Sequence, residues 1–155
     1  MCVALHLLTD FQTAILIEKN YDKIAVPLPC DSPYEYWDEE RMEGRGLISM
    51  KHAAEQAGLG HIGKNSLLIN KQYGNMLTIG AVLTNTDITS DPLSESLCID
   101  SCNLCIKNCP VKALDGIGAN QKECRMNTYG STKRGFGTVD CNKCRTICPR
   151  RYGID

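Results

Sequence analysis

Residues 98–110 read CIDSCNLCIKNCP, and residues 124–149 read CRMNTYGSTKRGFGTVDCNKCRTICP. The two stretches contain eight of the ten cysteines of this 155-residue chain. Each includes two cysteines separated by two residues, then a third cysteine four positions later that is followed by proline. Because thiolates are soft ligands and short loops let them converge, this spacing indicates a metal centre in each stretch.

The Cys-x2-Cys-x3-Cys-Pro spacing is typical of bacterial ferredoxins, in which the cysteine before proline ligates the other of two clusters. We therefore predict two 4Fe-4S clusters with crossed ligand sets. Cluster 1 is assigned to Cys98, Cys102, Cys105 and Cys148. Cluster 2 is assigned to Cys109, Cys124, Cys141 and Cys144.

The cysteine pattern departs from a simple ferredoxin in two places. Three residues separate Cys98 from Cys102, where two are usual, and Cys124 lies far ahead of the pair that it joins. We expect residues 120–140 to form an inserted excursion that returns Cys124 to cluster 2 and contains a glycine-rich loop. Since proline suits the first position of a helix, a short helix is expected at residues 111–114.

Zinc is an alternative occupant, because Cys-x2-Cys pairs also bind tetrahedral zinc. Disulfides are a second alternative. Residues 1–10 lack the basic start of a secretory signal, which argues against an oxidising compartment. The two remaining cysteines, Cys2 and Cys30, are expected to be ordinary thiols.

The chain has 43% hydrophobic residues and a net charge of -1, which suits one core with a smaller metal-held lobe. We predict an α+β core module at residues 1–90 and a ferredoxin-like cysteine lobe at residues 91–155. No apolar stretch is long enough to span a membrane, so a cytoplasmic protein without a membrane partner is expected. The sequence does not indicate an oligomeric state.

Basic residues are concentrated in the cysteine lobe. From residue 121 onward the chain has eight lysines and arginines against three acids. These bases either offset the negative charge of thiolate-ligated clusters or attract an anionic partner, which would be an RNA backbone or an acidic electron donor.

Residue patterns predict the elements of the core module. The first two are an amphipathic helix at residues 5–19 with Leu5, Leu8, Ile15 and Leu16 on its apolar face, and a strand at 24–26 closed by Pro27 and Pro29. They are followed by a loop at 30–46, a helix at 51–57 capped by Ser49, and a hairpin or two adjacent strands at 66–69 and 76–84. Within the loop, Tyr34, Tyr36 and Trp37 are expected to pack against a partner or to line a pocket.

Gly58, Gly60 and Gly63 match the letters of the dinucleotide-binding fingerprint. Their context is inverted, because the fingerprint needs a strand before it and a helix after it. Asn65 follows Lys64 where a phosphate-binding loop needs serine or threonine. We therefore expect no nucleotide binding here, and structural roles for His6, His52 and His61.

The stretch GLGHIGKNSLLIN at residues 58–70, YG at 73–74 and AVLT at 81–84 precede the two cysteine runs. In this combination the chain resembles the epoxyqueuosine reductase family over residues 47–150, and most closely its short members with a double-cluster, ferredoxin-like C-terminal lobe. The resemblance implies an α+β core that is N-terminally truncated relative to the family.

The resemblance also implies a function. Family members reduce an epoxide on a modified tRNA nucleoside, with cobalamin between core and cysteine lobe and electrons passing through two clusters with the same crossed ligands. An electron donor such as a ferredoxin or flavodoxin, and tRNA, are the implied partners. No acidic proton donor is identified among Asp31, Glu35 and Asp38, so catalytic residues stay unassigned. A non-catalytic ferredoxin-like electron-transfer protein is the alternative, and RNA binding without redox chemistry is a third.

Overall fold

The computed structural model describes residues 2–30 and 34–154, with side chains from Leu8 onward. Asp31 and the side chains of Cys2, Leu5 and His6 therefore lie outside the described part. The elements are α1 (Cys2–Tyr21), β1 (Ala25–Leu28), β2 (Tyr36–Asp38), β3 (Glu43–Arg45), α2 (Met50–Gln56), β4 (His61–Ile62), β5 (Leu68–Ile69), β6 (Ala81–Thr84), α3 (Leu104–Lys107), α4 (Gln121–Thr128), β7 (Tyr129–Ser131), β8 (Gly137–Val139) and α5 (Lys143–Thr146). The mixture of helices and small sheets is the predicted α+β class.

The described strands form four antiparallel pairs, β1–β6, β2–β3, β4–β5 and β7–β8. The prediction that residues 66–69 and 76–84 form a hairpin or adjacent strands is wrong, because β5 pairs with β4 and β6 pairs with the distant β1. Asn70 and Gly74 do exchange backbone hydrogen bonds at 3.0 Å, but that turn closes only an isolated bridge. An alternating pattern predicts a strand and leaves its partner open.

Helix α1 and strand β1 were both predicted, but two details differ. Asp10 and Ala14 form the buried side of α1, whereas Leu8 and Leu16 are more than half exposed. The predicted apolar face is therefore wrong. Pro27 lies inside β1 opposite Val82 instead of ending it, which a strand with a free edge allows.

The buried side of α1 is the side that faces β6. Gly80, just before β6, lies so close to the Asp10 carboxyl that any larger side chain would collide with it. On the same side, the half-buried Cys30 thiol donates a hydrogen bond to Asp10 Oδ2 at 3.4 Å. Cys30 is thus a structural thiol, as expected.

Residues 30–46 were predicted as a loop, and this is wrong for the hairpin β2–β3. Trp37 faces Gly44 across the hairpin, and the Asp38 carboxylate accepts a hydrogen bond from the Arg41 amide at 2.9 Å to close the turn. The ring of Tyr34 stacks on Trp37 with centroids 5.7 Å apart. The many charged residues around these aromatic residues leave no alternation of apolar and polar residues, so the sequence pattern did not predict a strand here.

The helix predicted at residues 111–114 is absent from the described structure. Lys112 has a positive φ of 52°, which interrupts a right-handed helix at its second residue. Short helices instead contain the second-to-last cysteine of each run, Cys105 in α3 and Cys144 in α5. They hold the chain compact where the thiols must converge.

The apolar core is small, and its most buried large side chain is Ile69 of β5, at 1% exposure. Ile69 Cδ1 lies against Gly63, which also lies next to the Cys98 thiol. The centre of the core module therefore meets the cysteine lobe directly. In the described residues, no helix combines the length and apolar character needed to traverse a bilayer.

Candidate metal centres

The eight cysteines of the two runs line two separate cavities. Thiol site 1 is the cavity lined by Cys98, Cys102, Cys105 and Cys148. Thiol site 2 is the larger cavity lined by Cys109, Cys124, Cys141 and Cys144. Each cavity is thus lined by the four cysteines that the spacing assigns to one cluster, and ligation by these cysteines stays a prediction.

The electrostatics of the thiols divide them in the same way. Burial raises the pKa of the Cys144 thiol, and the neighbouring thiols of Cys124, Cys141 and Cys109 raise it further, against the opposing charge of Arg145. Burial likewise raises the pKa of Cys148, with further increases from Cys98 and Cys102. Thiolates of one site repel each other, and a positively charged metal group would offset that repulsion.

Thiol site 1 has a second cysteine whose pKa is raised, Cys105. Burial raises the pKa of Cys105, with smaller increases from Cys148 and Cys98. No cysteine of site 2 contributes to this shift. Each site is therefore an electrostatic unit of its own.

Zinc and a 4Fe-4S cluster place different demands on the spacing of their ligands. Among the described side chains, no three of His, Cys, Asp or Glu are close enough together to hold one ion. Structural zinc needs four ligands at about 2.0–2.3 Å from one point. A cluster presents a separate iron to each thiolate, so its ligands are spread more widely.

Backbone amides already donate hydrogen bonds to two of the sulfurs. The Ala113 amide lies 3.2 Å from Cys109 Sγ, and the Lys64 amide lies 3.4 Å from Cys98 Sγ. Such N–H donors stabilise thiolates and adjust the potential of a bound cluster. The first bond joins residues of the same loop, while the second comes from the core module.

The excursion predicted at residues 120–140 is an ordered helix and hairpin. The Asn120 side chain caps α4 by accepting a hydrogen bond from the Glu123 amide. Cys124 lies in the first half of that helix. Strands β7 and β8 follow, with Gly135 at a positive φ of 81° in their turn. The Asp140 amide then bonds to Thr128 O at 2.7 Å, which returns the chain to the Cys141 pair.

Lys64 and Asn65 are site residues that the sequence reasoning missed. The Lys64 ammonium donates to the carbonyls of Ile99, Asp100 and Cys102 at 3.3, 2.7 and 3.1 Å. Asn65 is 4% exposed and donates to Cys144 O at 3.4 Å. The signal was present as the GKN sequence, but that sequence was weighed as a nucleotide-binding motif and as part of the family resemblance, and not as a contact with the cysteine loops.

The glycine motif of Gly58, Gly60 and Gly63 follows a helix, as the sequence predicted. Helix α2 precedes it, Gly58 ends the helix region with a positive φ of 76°, and strand β4 follows. The histidines also have structural contacts. His52 Nδ1 lies 2.6 Å from Ser49 Oγ, and His61 Nδ1 lies 3.0 Å from the Glu55 carboxylate.

A third cavity of about 510 Å³ lies between the core module and the cysteine lobe, and we call it the interlobe cavity. It is lined by Lys51, His52, Ile62 and Ser66 of the core module and by Ile117, Gly118, Ala119, Gln121, Cys124, Arg125, Thr128 and Tyr129 of the lobe. No acidic side chain is among these described lining residues. Cys124 borders both this cavity and thiol site 2.

Two cations of the interlobe cavity have defined partners. Lys51 donates to the hydroxyl and carbonyl oxygens of Ser66, and burial lowers the pKa of Lys51. Arg125 donates to Tyr34 Oη at 3.0 Å and lies over the rings of Tyr34 and Trp37. Tyr34 and Trp37, which the sequence predicted to pack against a partner or to line a pocket, thus contact Arg125, one of the residues that line the interlobe cavity.

Comparison with known proteins points to one group. No protein-family model matches the chain. It is 36% identical over 125 residues to an epoxyqueuosine reductase of Lactococcus garvieae, covering 74% of this chain and 35% of the relative. It is 33% identical over 157 residues to that of Staphylococcus aureus, covering 94% of this chain and 40% of the relative.

Solved structures give the same result. The structure of epoxyqueuosine reductase from Streptococcus thermophilus superposes with a TM-score of 0.69 at 26% identity, over 98% of this chain and 40% of that one. A crystal structure of epoxyqueuosine reductase with an epoxyqueuosine-modified tRNA stem loop has a TM-score of 0.67 at 22% identity, over 95% and 39% of the two chains. The chain therefore spans about two fifths or less of the length of these relatives.

Proposed function

The chain is a homologue of the epoxyqueuosine reductases, and on that basis we propose that it is an iron-sulfur oxidoreductase of the same kind. Its core module at residues 1–90 would carry the acceptor of the electrons. Its cysteine lobe at residues 91–155 would supply them. A cytoplasmic location suits this proposal, because thiols stay reduced there.

The observation that carries the proposal is the pair of four-thiol cavities. Cys98, Cys102, Cys105 and Cys148 would hold cluster 1, and Cys109, Cys124, Cys141 and Cys144 would hold cluster 2. Four thiolates per site match the ligand number of a 4Fe-4S cluster. The raised thiol pKa of Cys105, Cys144 and Cys148 supports a site that needs a compensating metal charge.

When bound, 4Fe-4S clusters transfer single electrons. The chain itself would hold the thiolates in place, donate N–H groups to their sulfurs and exclude water from part of their surroundings. Burial and hydrogen bonds to sulfur are the means by which a protein adjusts cluster potentials. Both are present at the described thiols.

The interlobe cavity is the proposed position of the electron acceptor. Its volume of about 510 Å³ lies within the range of cofactor and substrate sites, although a whole cobalamin would also extend outside it. Its lining supplies hydrogen-bond donors and acceptors such as Lys51, Ser66 and Gln121, which suit the amide groups at the edge of a corrin. Cobalamin is thus the cofactor that we propose for this site.

Two partners follow from this function. A ferredoxin or flavodoxin would supply electrons, and the basic residues of the cysteine lobe would attract its acidic surface. A tRNA carrying the modified nucleoside is the proposed substrate, since one structural neighbour was solved with such a stem loop. The same basic residues would bind its phosphates.

Anaerobic reconstitution of the full chain with iron and sulfide tests the metal assignment. Iron and acid-labile sulfide are each expected to approach about eight per chain, the content of two 4Fe-4S clusters. The Cys30→Ser variant is the matched control, because Cys30 lines neither thiol site in the described residues and its thiol donates a hydrogen bond to Asp10. Stoichiometric zinc in a colourless protein would overturn the assignment.

A non-catalytic electron-transfer protein is the second candidate, since the two four-thiol cavities would serve it equally well. Addition of cobalamin to the reconstituted chain separates the two functions. The reductase predicts retention of cobalamin on a desalting column and reductant-dependent loss of the epoxide from an epoxyqueuosine-containing stem loop. Reversible cluster reduction with neither of these results would support the electron carrier.

A further inference from the structure

Lys64 connects the core module to the loop between Cys98 and Cys102. Its ammonium donates to three carbonyls of that loop, and its amide donates to Cys98 Sγ at 3.4 Å. This loop is one residue longer than the usual ferredoxin spacing. Three hydrogen bonds from one side chain are a means of holding the extra residue in place.

The charge of Lys64 is not neutralised by a carboxylate in the described part of the chain. Its recorded acceptors are carbonyls, and the ion pair recorded there joins His61 to Glu55. Lys64 also lines thiol site 1. A net positive charge therefore lies beside that site.

Asn65 makes the corresponding contact with the other site. Its amide nitrogen donates to Cys144 O at 3.4 Å, and its amide oxygen accepts from the Leu67 backbone at 3.2 Å. Asn65 is almost fully buried and has no charge. Both thiol cavities include it in their lining.

Gly63 lets these two residues approach the sulfurs. A side-chain carbon at this position would lie 3.2 Å from Cys98 Sγ and 3.0 Å from Asn65 Oδ1. It would also collide with Ile69, which has no room to move. The three residues together form a rigid contact between the core module and both cysteine loops.

We propose that Lys64 and Asn65 are positioning residues that tune the two clusters separately. This rests on the proposed function, which supplies the clusters. Lys64 would fix the long loop of cluster 1 and raise the reduction potential of that cluster, since a nearby positive charge favours the more negative, reduced state. Asn65 would hold the Cys144 loop of cluster 2 without a charge contribution.

The test is a potentiometric titration of the reconstituted full chain, with each cluster followed by electron paramagnetic resonance. Signals are assigned to clusters with the Cys105→Ser and Cys144→Ser variants. Lys64→Gln is expected to lower the midpoint potential of cluster 1 and leave cluster 2 unchanged. Lys64→Arg keeps the charge and is expected to restore most of the potential.

Asn65→Ala serves as the complementary variant. It is expected to speed the loss of iron from cluster 2 to a chelator several-fold and to affect cluster 1 less, because the Asn65 side chain donates its hydrogen bond to the Cys144 loop. Lys71→Gln is the matched control, because Lys71 is an exposed lysine of the same module and lines neither thiol site. Its potentials and iron-release rates should equal those of the wild type.

The failures of the two proposals are distinguishable. A wild-type chain that takes up no iron would overturn the proposed function and this inference with it. A wild-type chain with about eight irons whose cluster potentials do not respond to Lys64→Gln would overturn the inference alone. Equal shifts of both clusters, or the same shift in Lys71→Gln, would also contradict it.

Discussion

Arg125 lies over the indole ring of Trp37, with its Cζ atom 5.1 Å from the ring centroid. This contact joins the hairpin β2–β3 of the core module to α4 of the cysteine lobe, one residue after the proposed ligand Cys124. The Gln121 side-chain oxygen accepts a hydrogen bond from the Gly44 amide at 3.4 Å. Lys122 donates a hydrogen bond to Glu40 O at 2.8 Å. The hairpin thus helps to fix the helix that supplies a thiol to site 2.

Replacement of Arg125 by alanine is expected to destabilise the chain by about 1–2 kcal/mol. It removes two cation–π contacts and the hydrogen bond to Tyr34 Oη. Chemical unfolding measures the change, and iron release from cluster 2 should accelerate with it. Arg41→Ala is the control, because the exposed Arg41 has a recorded contact only through its backbone amide.

Gly63→Ala is expected to destabilise the chain by about 1–3 kcal/mol, because an added methyl overpacks the contact with Ile69 and Cys98. Urea unfolding at neutral pH measures the free energy. Gly137→Ala adds the same methyl where no atom lies within 4 Å, and it should change stability little. Equal effects of the two substitutions would contradict the packing argument.

The crossed ligand sets predict an unusual result for the cysteines before proline. Cys148→Ser should damage cluster 1, although Cys148 belongs to the second run, and Cys109→Ser should damage cluster 2. Each variant is expected to bind about four irons instead of eight. Electron paramagnetic resonance spectra then identify the surviving cluster by comparison with the Cys105→Ser and Cys144→Ser variants. If each variant instead lost the cluster of its own run, the crossing of the ligand sets would be refuted.

The stability of the loop at residues 115–118 is expected to depend on pH. Hydrogen bonds from the Gly118 and then the Ile117 amide lower the pKa of Asp115 below its ordinary value of 3.8. A lowered pKa means that the charged carboxylate stabilises the loop above pH 3.8, and that this stabilisation is lost as the pH falls through the lower, folded-state pKa. Amide hydrogen exchange of Gly118 should therefore be protected at neutral pH and lose protection in that acidic range.

Asp115→Asn is the variant that checks this pH dependence. It should remove most of the change in Gly118 protection between neutral and acidic pH, because the asparagine does not titrate. Asp87→Asn is the control, since Asp87 is exposed and distant in sequence from the loop. Because Ile117 and Gly118 line the interlobe cavity, Asp115→Asn should also weaken ligand retention there at neutral pH.

Local features were predictable from the sequence. The helix α1, the helix α2 with its Ser49 cap position, and the grouping of the eight cysteines depend on residues close together in the chain or on ligand chemistry. The crossing of Cys109 and Cys148 between the two ligand sets is predicted from the spacing of each run, and it stays a prediction. These features required no knowledge of the strand order.

Contacts between distant residues were not predictable in this way. The pairing of β6 with β1 joins residues 81–84 to residues 25–28, and an alternating pattern does not choose between such partners. The prediction of the buried side of α1 was wrong for a related reason. The position of β6 and Gly80 decides which face of the helix is covered. The hairpin β2–β3 likewise gains its packing from Arg125, about 90 residues later in the chain.

The sequence by itself determined that this chain offers two sets of four soft ligands, because the spacing of cysteine and proline limits how short loops can present thiolates. Only the tertiary structure decided what lies against those thiols. Lys64 and Asn65 come within hydrogen-bond distance of the two cysteine loops because the turn after β4 packs on them. A charge acts on a cluster through its distance in space, which the order of residues does not specify.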